Sequence, residues 1–354
     1  MTSLSVHTQS IDFAAVRARV DKTLDDFLDA KHDDATARSM PVDVTEALGE
    51  FFASGGKRLR PLLCVLGWHA AGGHGDDEEV VRTAAAVEMF HAFCLIHDDI
   101  MDSSSTRRGR PTVHCAMAHR YDHDHIGTSA AILIGDMALA WSDELLNSPH
   151  RAPHRQAALH RVIDAMRQEV IYGQYLDLMA PFTPLTDHRA ALQVIRFKTA
   201  KYTIERPLHA GAVLAGADPE LLAALSRYAL PLGEAFQLRD DILGVYGQPQ
   251  ETGKPVLDDL REGKHTVLIA LAAQQATPAQ HHLLHNLLGD PALDEDGAAQ
   301  IRRVLQTTGA RDQVEHMITT RYAQALTALQ DAPCPPAATA ALQRIATQAV
   351  QRTS

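Results

Sequence analysis

Two acidic pairs in the chain, each with basic residues a short way downstream, have the residue types and spacing to hold phosphate through a hard cation. The first is His97-Asp98-Asp99-Ile100-Met101-Asp102, followed by Arg107-Arg108-Gly109-Arg110. On a helix Asp98 and Asp102 fall at i and i+4, on one face and about 6 Å apart along the axis. Carboxylates so placed repel each other. The cost makes sense if a cation such as Mg²⁺ sits between them, because that ion takes oxygen ligands and is completed by water and substrate phosphates. The arginines then meet the remaining phosphate oxygens with their forked donors. Taken alone, the stretch fits a solvated helix end equally well. The second pair, Asp240-Asp241, lies in Gly233-Glu234-Ala235-Phe236-Gln237-Leu238-Arg239-Asp240-Asp241. It is followed by Gly253-Lys254 and by the run from Asp258 to Thr266, so the order of acidic pair, basic loop and new helix occurs twice. A coincidence of surface charge is hard to sustain across that distance.

Other residues of interest are open to two readings. Lys57 and Arg60 lie in Ser54-Gly55-Gly56-Lys57-Arg58-Leu59-Arg60-Pro61, a glycine loop leading into a helix with Pro61 in its first turn. A helix N-terminus favours an anion, although a basic cap on an ordinary loop looks the same. His91 precedes Asp98 by seven residues and shares its face, as a donor to an anion or as a packed helix residue. Asp177 and Lys198 read as an ion pair inside a bundle or as surface charge.

The elements that must position these groups are helices. Hydrophobic residues make up 45% of the 354 and aromatics only 5%, with alanine and leucine dominant, which favours helix over strand. Apolar periodicity predicts helices over residues 11–30, 44–53, 62–71, 78–102, 126–146, 155–179, 188–217 and 219–244. A polar connection is expected over 32–41 and a short helical connection over 272–296. Closing helices are expected over 300–329 and 337–351. Both acidic pairs end long apolar helices, where carboxylates oppose the helix dipole and so invite a cation. A net charge of −11 speaks against a nucleic-acid-binding body. Cys64, Cys94, Cys115 and Cys334 stand far apart, which points to reduced thiols and a cytoplasmic setting. Residues 1–10 are polar, with no apolar core before a cleavage signal, so secretion is not expected, and no uninterrupted apolar run approaches the roughly 20 residues of a membrane span. The twenty histidines read as surface rather than as metal ligands.

Taken together, Gly55 to Pro61, Asp98-Asp99 to Asp102 with Arg107-Arg108-Gly109, Gly173-Gln174 to Asp177-Leu178, Lys198-Thr199, and Phe236-Gln237 to Asp240-Asp241 resemble the trans-isoprenyl diphosphate synthases, the polyprenyl synthetase family. The likeness spans about residues 45–270, with five motifs in family order, and is greatest to short-chain bacterial geranylgeranyl diphosphate synthases. It implies an all-α, single-domain bundle around a deep central cavity, with an N-terminal part at 1–44 and closing helices at 271–354, usually in a homodimer. It implies a Mg²⁺-dependent prenyltransferase, with Mn²⁺ as a substitute ion. The enzyme would condense isopentenyl diphosphate with dimethylallyl, geranyl or farnesyl diphosphate. Asp98, Asp102 and Asp240 would bind the metal directly, with Asp99 and Asp241 behind them. Arg107, Lys198 and Lys254 would neutralise the allylic diphosphate, and Lys57, Arg60, His91 and Arg108 would hold isopentenyl diphosphate. Thr199, Gln237 and Asp259 would belong to the surrounding shell or close the site.

In the family the residues just before the first aspartate line the floor of the product tunnel. Phe93 and Cys94 occupy that place here, and Phe90 is an alternative floor. Phe93 resembles the aromatic that stops growth at geranylgeranyl length, although 100° per residue sets it roughly 140° around the helix from Asp98. The chain departs from the family at Gly244, where a full second motif has a further aspartate, and at Leu257, often a glycine. The expected product is geranylgeranyl diphosphate, with farnesyl or longer diphosphates as variants. A terpene cyclase is a more distant reading, since it has no second diphosphate for the Gly55 to Arg60 loop and Arg108 to bind. A non-catalytic partner subunit would be expected to have lost some of its aspartates, and both pairs are intact.

Overall fold

A computed structural model describes residues 10–75, 77–147, 151–247 and 257–350. As composition predicts, the described chain is almost wholly helical. In order, the helices are α1 (Phe13–Ala37), α2 (Asp43–Ala53), α3 (Leu59–Ala70), α4 (Glu78–Met101), α5 (Val113–Tyr121), α6 (Asp124–Leu146), α7 (Pro153–Met179) and α8 (His188–Val194). There follow a wide π-type stretch (Ile195–Glu205), α9 (Arg206–Ala215), α10 (Pro219–Tyr246), α11 (Asp258–Arg261), α12 (Val267–Gln275), α13 (Pro278–Leu287), α14 (Glu295–Thr307), α15 (Ala310–Gln330) and α16 (Pro336–Val350). Two-residue strands at Thr106–Arg107 and Arg110–Pro111 pair antiparallel.

Two compact units make up the chain. The first comprises the residues up to His160 with Pro207–Asp218 and Cys334–Ala341. Its core helix is α4, against which α1, α3 and α6 pack. Among the described residues α4 alone is long and apolar enough to cross a bilayer, but 67% of that window is buried. Its apolar surface is covered by neighbouring helices, and burying each such side chain stabilises the unit by roughly 1.5–3 kcal/mol. The second unit comprises Arg161–Arg206, Pro219–Pro333 and the residues from Leu342 on. Leu238, Ile242 and Val245 of α10 join Leu268, Leu305 and Val314 in its core.

Several helices differ from the periodicity reading. α1 runs to Ala37, through polar residues assigned to a connection, because His32 leans back onto α2 and its Nδ1 meets Thr45 Oγ1 at 3.0 Å. The expected helix over 300–329 is two helices, with Gly309 at φ 71° as the N-cap of α15. Segment 188–217 is not one α-helix but α8, the π-type stretch and α9. The predicted connection at 272–296 contains the end of α12 and all of α13, whose Thr277 and Gln280 cap each other reciprocally.

Candidate active site

In the first unit the acidic motif closes α4. The helix is still intact at Asp102, whose N–H donates to Asp98 O at 2.8 Å, so the two carboxylates share the predicted face. Asp99 points elsewhere. It is 2% exposed and takes three hydrogen bonds of 2.6–3.0 Å from Arg107 Nε and Nη2. Burial alone would lower the Arg107 pKa, but the bond and charge of Asp99, with Asp98 and Asp102 behind, raise it. The hairpin explains this placement. Its two central residues, Arg108 and Gly109, have φ of 54° and 73°, the positive pair that a two-residue turn of matching twist requires. The turn sends Arg107 back to Asp99 and brings Arg108 Nη1 to 3.4 Å from Ser54 Oγ, beside the glycine loop.

That loop enters α3 without a side-chain cap, with Arg58 as N-cap. Arg60 Nη1 lies 2.9 Å from His91 Nε2. Arginine only donates, so Nε2 accepts and the imidazole keeps its proton on Nδ1. Its pKa falls well below the ordinary value because the ring is enclosed and because Arg60, Arg107, Arg108 and Arg58 crowd it. Arg58 and Arg107 are already paired with carboxylates, which leaves Arg60 and Arg108 beside the neutral ring as the candidate anion-binding pair. On the same helix Phe93 is half-buried, its ring centre 4.7 Å from His97 and 5.4 Å from Phe90. Phe90 is 1% exposed and belongs to the core. Cys94 is half-buried.

The second acidic pair lies in the second unit, near the end of α10. Asp240 is exposed and Asp241 buried. Thr199 Oγ1 donates to Gln237 Oε1 at 2.8 Å, and Gln237 Nε2 donates to Asp241 Oδ1 at 2.9 Å. Burial, chiefly, pushes the Asp241 carboxyl up to about 8, with Asp240 and Asp259 adding to the shift and the Gln237 bond opposing it. A cation nearby would reverse that shift. Lys198 Nζ is 2.7 Å from Asp177 Oδ2, the bundle ion pair the sequence suggested. Asp177, Lys198, Thr199, Gln237 and Asp241 line a cavity of about 120 Å³ with Lys264 and His265. Lys198 and Thr199 reach it from the π-type stretch, a widened helix form often found where a helix carries function. The Gly244 departure has a steric meaning: a Cβ there would overlap the Asp259 carboxylate, which Lys264 holds at 3.1 Å.

The donor chemistry fits a hard cation. Asp98 and Asp102 in the first unit, and Asp240 in the second, each offer only oxygen, and no trio of His, Cys, Asp or Glu forms a ready cage among the described residues. An ion at either place would take its remaining ligands from water and phosphate.

Comparison with known proteins shows the family. Residues 42–305 match the family model described as polyprenyl synthetase. The chain belongs to the polyprenyl synthetase family. It is 36% identical over 265 residues to the geranylfarnesyl diphosphate synthase of Aeropyrum pernix, covering 74% of this chain and 79% of the relative. It is 33% identical over 264 residues to the geranylgeranyl diphosphate synthase of Saccharolobus solfataricus, covering 74% and 76%. Among solved structures, the geranylgeranyl pyrophosphate synthase of Corynebacterium glutamicum, complexed with isoprenyl diphosphate and magnesium, superposes with a TM-score of 0.91 at 40% identity over 97% of this chain and 100% of that one.

Within this polyprenyl synthetase Lys57, Arg60, His91, Asp98, Asp102, Arg107 and Arg108 all belong to the first unit, where Arg60 meets His91 and Arg107 meets Asp99. The second gathers Lys198, Thr199, Gln237 and Asp241 around one cavity. Lys254 lies outside the described residues. Leu257 packs against the second unit's core. Two polar residues escaped the sequence reading, Arg58 and Lys264, although both stood inside quoted motifs. Their signal was a basic residue beside glycine in a charged run, which does not say which cation faces inward. The Asp99–Arg107 pair predicts a measurable cost. Arg107→Ala strands a buried carboxylate and is expected to lower stability by about 3 kcal/mol in urea unfolding; an unchanged midpoint would remove the pair from the fold's support.

Proposed function

We propose that this chain is a Mg²⁺-dependent trans-prenyltransferase that condenses isopentenyl diphosphate head-to-tail with dimethylallyl, geranyl or farnesyl diphosphate, ending at geranylgeranyl diphosphate. One observation carries the reading. The first unit carries an acidic helix end, where Asp98 and Asp102 share a face, and a basic group in which Arg60 meets the neutral His91 and Arg108 reaches Ser54, which gives it separate acidic and basic arms. A cyclase, with a single diphosphate, has no use for the second.

Bound Mg²⁺ supplies charge neutralisation on the departing allylic diphosphate. In the first unit Asp98 and Asp102 would hold it, with Arg107 for diphosphate oxygens; in the second Asp240 would hold it, with Lys198 and Lys254 for diphosphate oxygens. The allylic C1–O bond breaks and the electron pair leaves with diphosphate. The double bond of isopentenyl diphosphate attacks C1, and the adjacent C–H proton passes to the released diphosphate. Lys57, Arg60, Arg108 and His91 Nδ1–H keep the second diphosphate fixed while the double bond approaches. Apolar helix faces exclude the water that would quench the cation. Thr199 and Gln237 hold Asp241 behind Asp240. The same reading includes Mn²⁺ as a substitute, a homodimer visible in light scattering, and a cytoplasmic site of action visible by fractionation.

Chromatography of products from isopentenyl diphosphate, each allylic starter and Mg²⁺ tests it. Twenty-carbon diphosphate is expected, and chelation should abolish it. Hydrocarbon formed from a prenyl diphosphate alone would establish a cyclase instead. Phe93→Ala is expected to lengthen the product by at least one five-carbon unit; an unchanged product removes Phe93 as the floor.

A further inference from the structure

One buried, fully partnered side chain of the first unit belongs to none of the roles above. Arg58 is 6% exposed, and each of its three nitrogens has a partner. Nε donates to Asp21 Oδ1 on α1 at 2.7 Å, Nη1 to Glu88 Oε1 on α4 at 3.0 Å, and Nη2 to Phe52 O on α2 at 3.0 Å. Its guanidinium carbon lies 5.6 Å from the centre of the Phe52 ring. Burial would lower its pKa, but the Glu88 and Asp21 carboxylates raise it above the ordinary value. The backbone beneath is left-handed, with φ of 46°, a conformation that costs a non-glycine residue of order 1 kcal/mol or more unless its surroundings impose it.

We propose that Arg58 is the positioning residue of the isopentenyl diphosphate arm: it clamps the Gly55 to Arg60 loop to α1, α2 and α4 in the one backbone conformation that presents Lys57 and Arg60. The geometry is specific. Arg58 lies between the two cations in sequence and caps α3, so fixing its backbone fixes theirs. Glu88 stands one turn before His91 on α4, so the clamp sets the loop against the ring that Arg60 meets. Gly56 is flanked by guanidiniums on both sides: a Cβ there would stand 3.1 Å from Arg58 Nη1 and 3.1 Å from Arg108 Nη2. Loop and hairpin therefore approach one another at a point that Arg58 holds. A lysine cannot replace it, because one ammonium on a flexible stem does not serve two carboxylates and a carbonyl in fixed directions.

The inference rests on the proposed role of Lys57 and Arg60, and steady-state kinetics with each substrate varied separates the two claims. Arg58→Lys is expected to raise KM for isopentenyl diphosphate about tenfold while KM for farnesyl diphosphate and kcat stay within about twofold. Asp21→Asn, whose carboxylate side chain is 45% exposed, removes one arm of the clamp and is expected to raise the same KM about threefold with little change in Tm. Should Arg58→Lys fail to fold, Asp21→Asn decides. If both KM values and kcat move together with Tm, or if neither variant changes KM for isopentenyl diphosphate, Arg58 only supports the fold and the proposal is overturned. Lys57→Ala and Arg60→Ala read the underlying assignment. If these leave KM for isopentenyl diphosphate unchanged, the arm itself is misassigned. If they raise it while the Arg58 and Asp21 variants do not, only the clamp fails.

Discussion

Asp98→Ala and Asp240→Ala are each expected to lower kcat/KM for chain elongation by at least about 10³-fold, with Tm held within a few degrees. The expectation follows from where the carboxylates stand. Asp240 is exposed and Asp98 half-buried at a helix end, so removing either leaves no cavity in the core. On the proposed reading, what is lost is charge that would hold a cation against a leaving diphosphate, an interaction that strengthens as the C–O bond breaks and therefore shows in kcat. Asp99→Asn is the contrasting variant. Asp99 is already given to Arg107, so its loss should lower the unfolding midpoint as well as activity. Elongation at wild-type rate by either alanine variant would show that the metal assignment is wrong.

Gly233→Ala is expected to destabilise the protein by about 2 kcal/mol and to abolish most activity. A Cβ at Gly233 on α10 would overlap the Ala200 backbone of the π-type stretch, which cannot swing aside as a side chain could. Overpacking of this kind costs up to about 3 kcal/mol. Alanine's better helix propensity returns about 1 kcal/mol, so the clash wins. Ala200 directly follows Lys198 and Thr199, and any shift that relieves the overlap displaces the groups lining the cavity. Urea unfolding with Mg²⁺ present measures the first effect and the product assay the second. A wild-type urea midpoint would mean the two helices can part at no cost, and the close-approach argument would fall.

Much of the site was legible without coordinates. Aspartates four apart on a helix must share a face, because 3.6 residues make a turn. Acids at two helix ends, each followed by basic residues, point to an anion held through a cation, since the dipole alone would have rejected them. The apolar period gave most helices, failing where a polar run leaned on a neighbour, as at His32, or where a glycine broke a continuous pattern, as at Gly309.

Other features needed the tertiary structure. The sequence Asp98-Asp99 offers two equivalent carboxylates, and only the hairpin turn at Arg108-Gly109 assigns Asp99 to Arg107. The widened helix around Lys198 carries no local signal. Its backbone runs close to Gly173 and Gly233, far away in the chain. Gly244 reads as a missing aspartate until Asp259 is seen to occupy the space. Lys57-Arg58-Leu59-Arg60 shows three cations with nothing to tell them apart, and Arg58 is singled out because Asp21 and Glu88 meet there from α1 and α4. The amino-acid sequence by itself determined which chemical groups the protein has and how they repeat along each helix, since those depend on local geometry. Which group faces which is settled by packing between distant segments, so only the tertiary structure decided it.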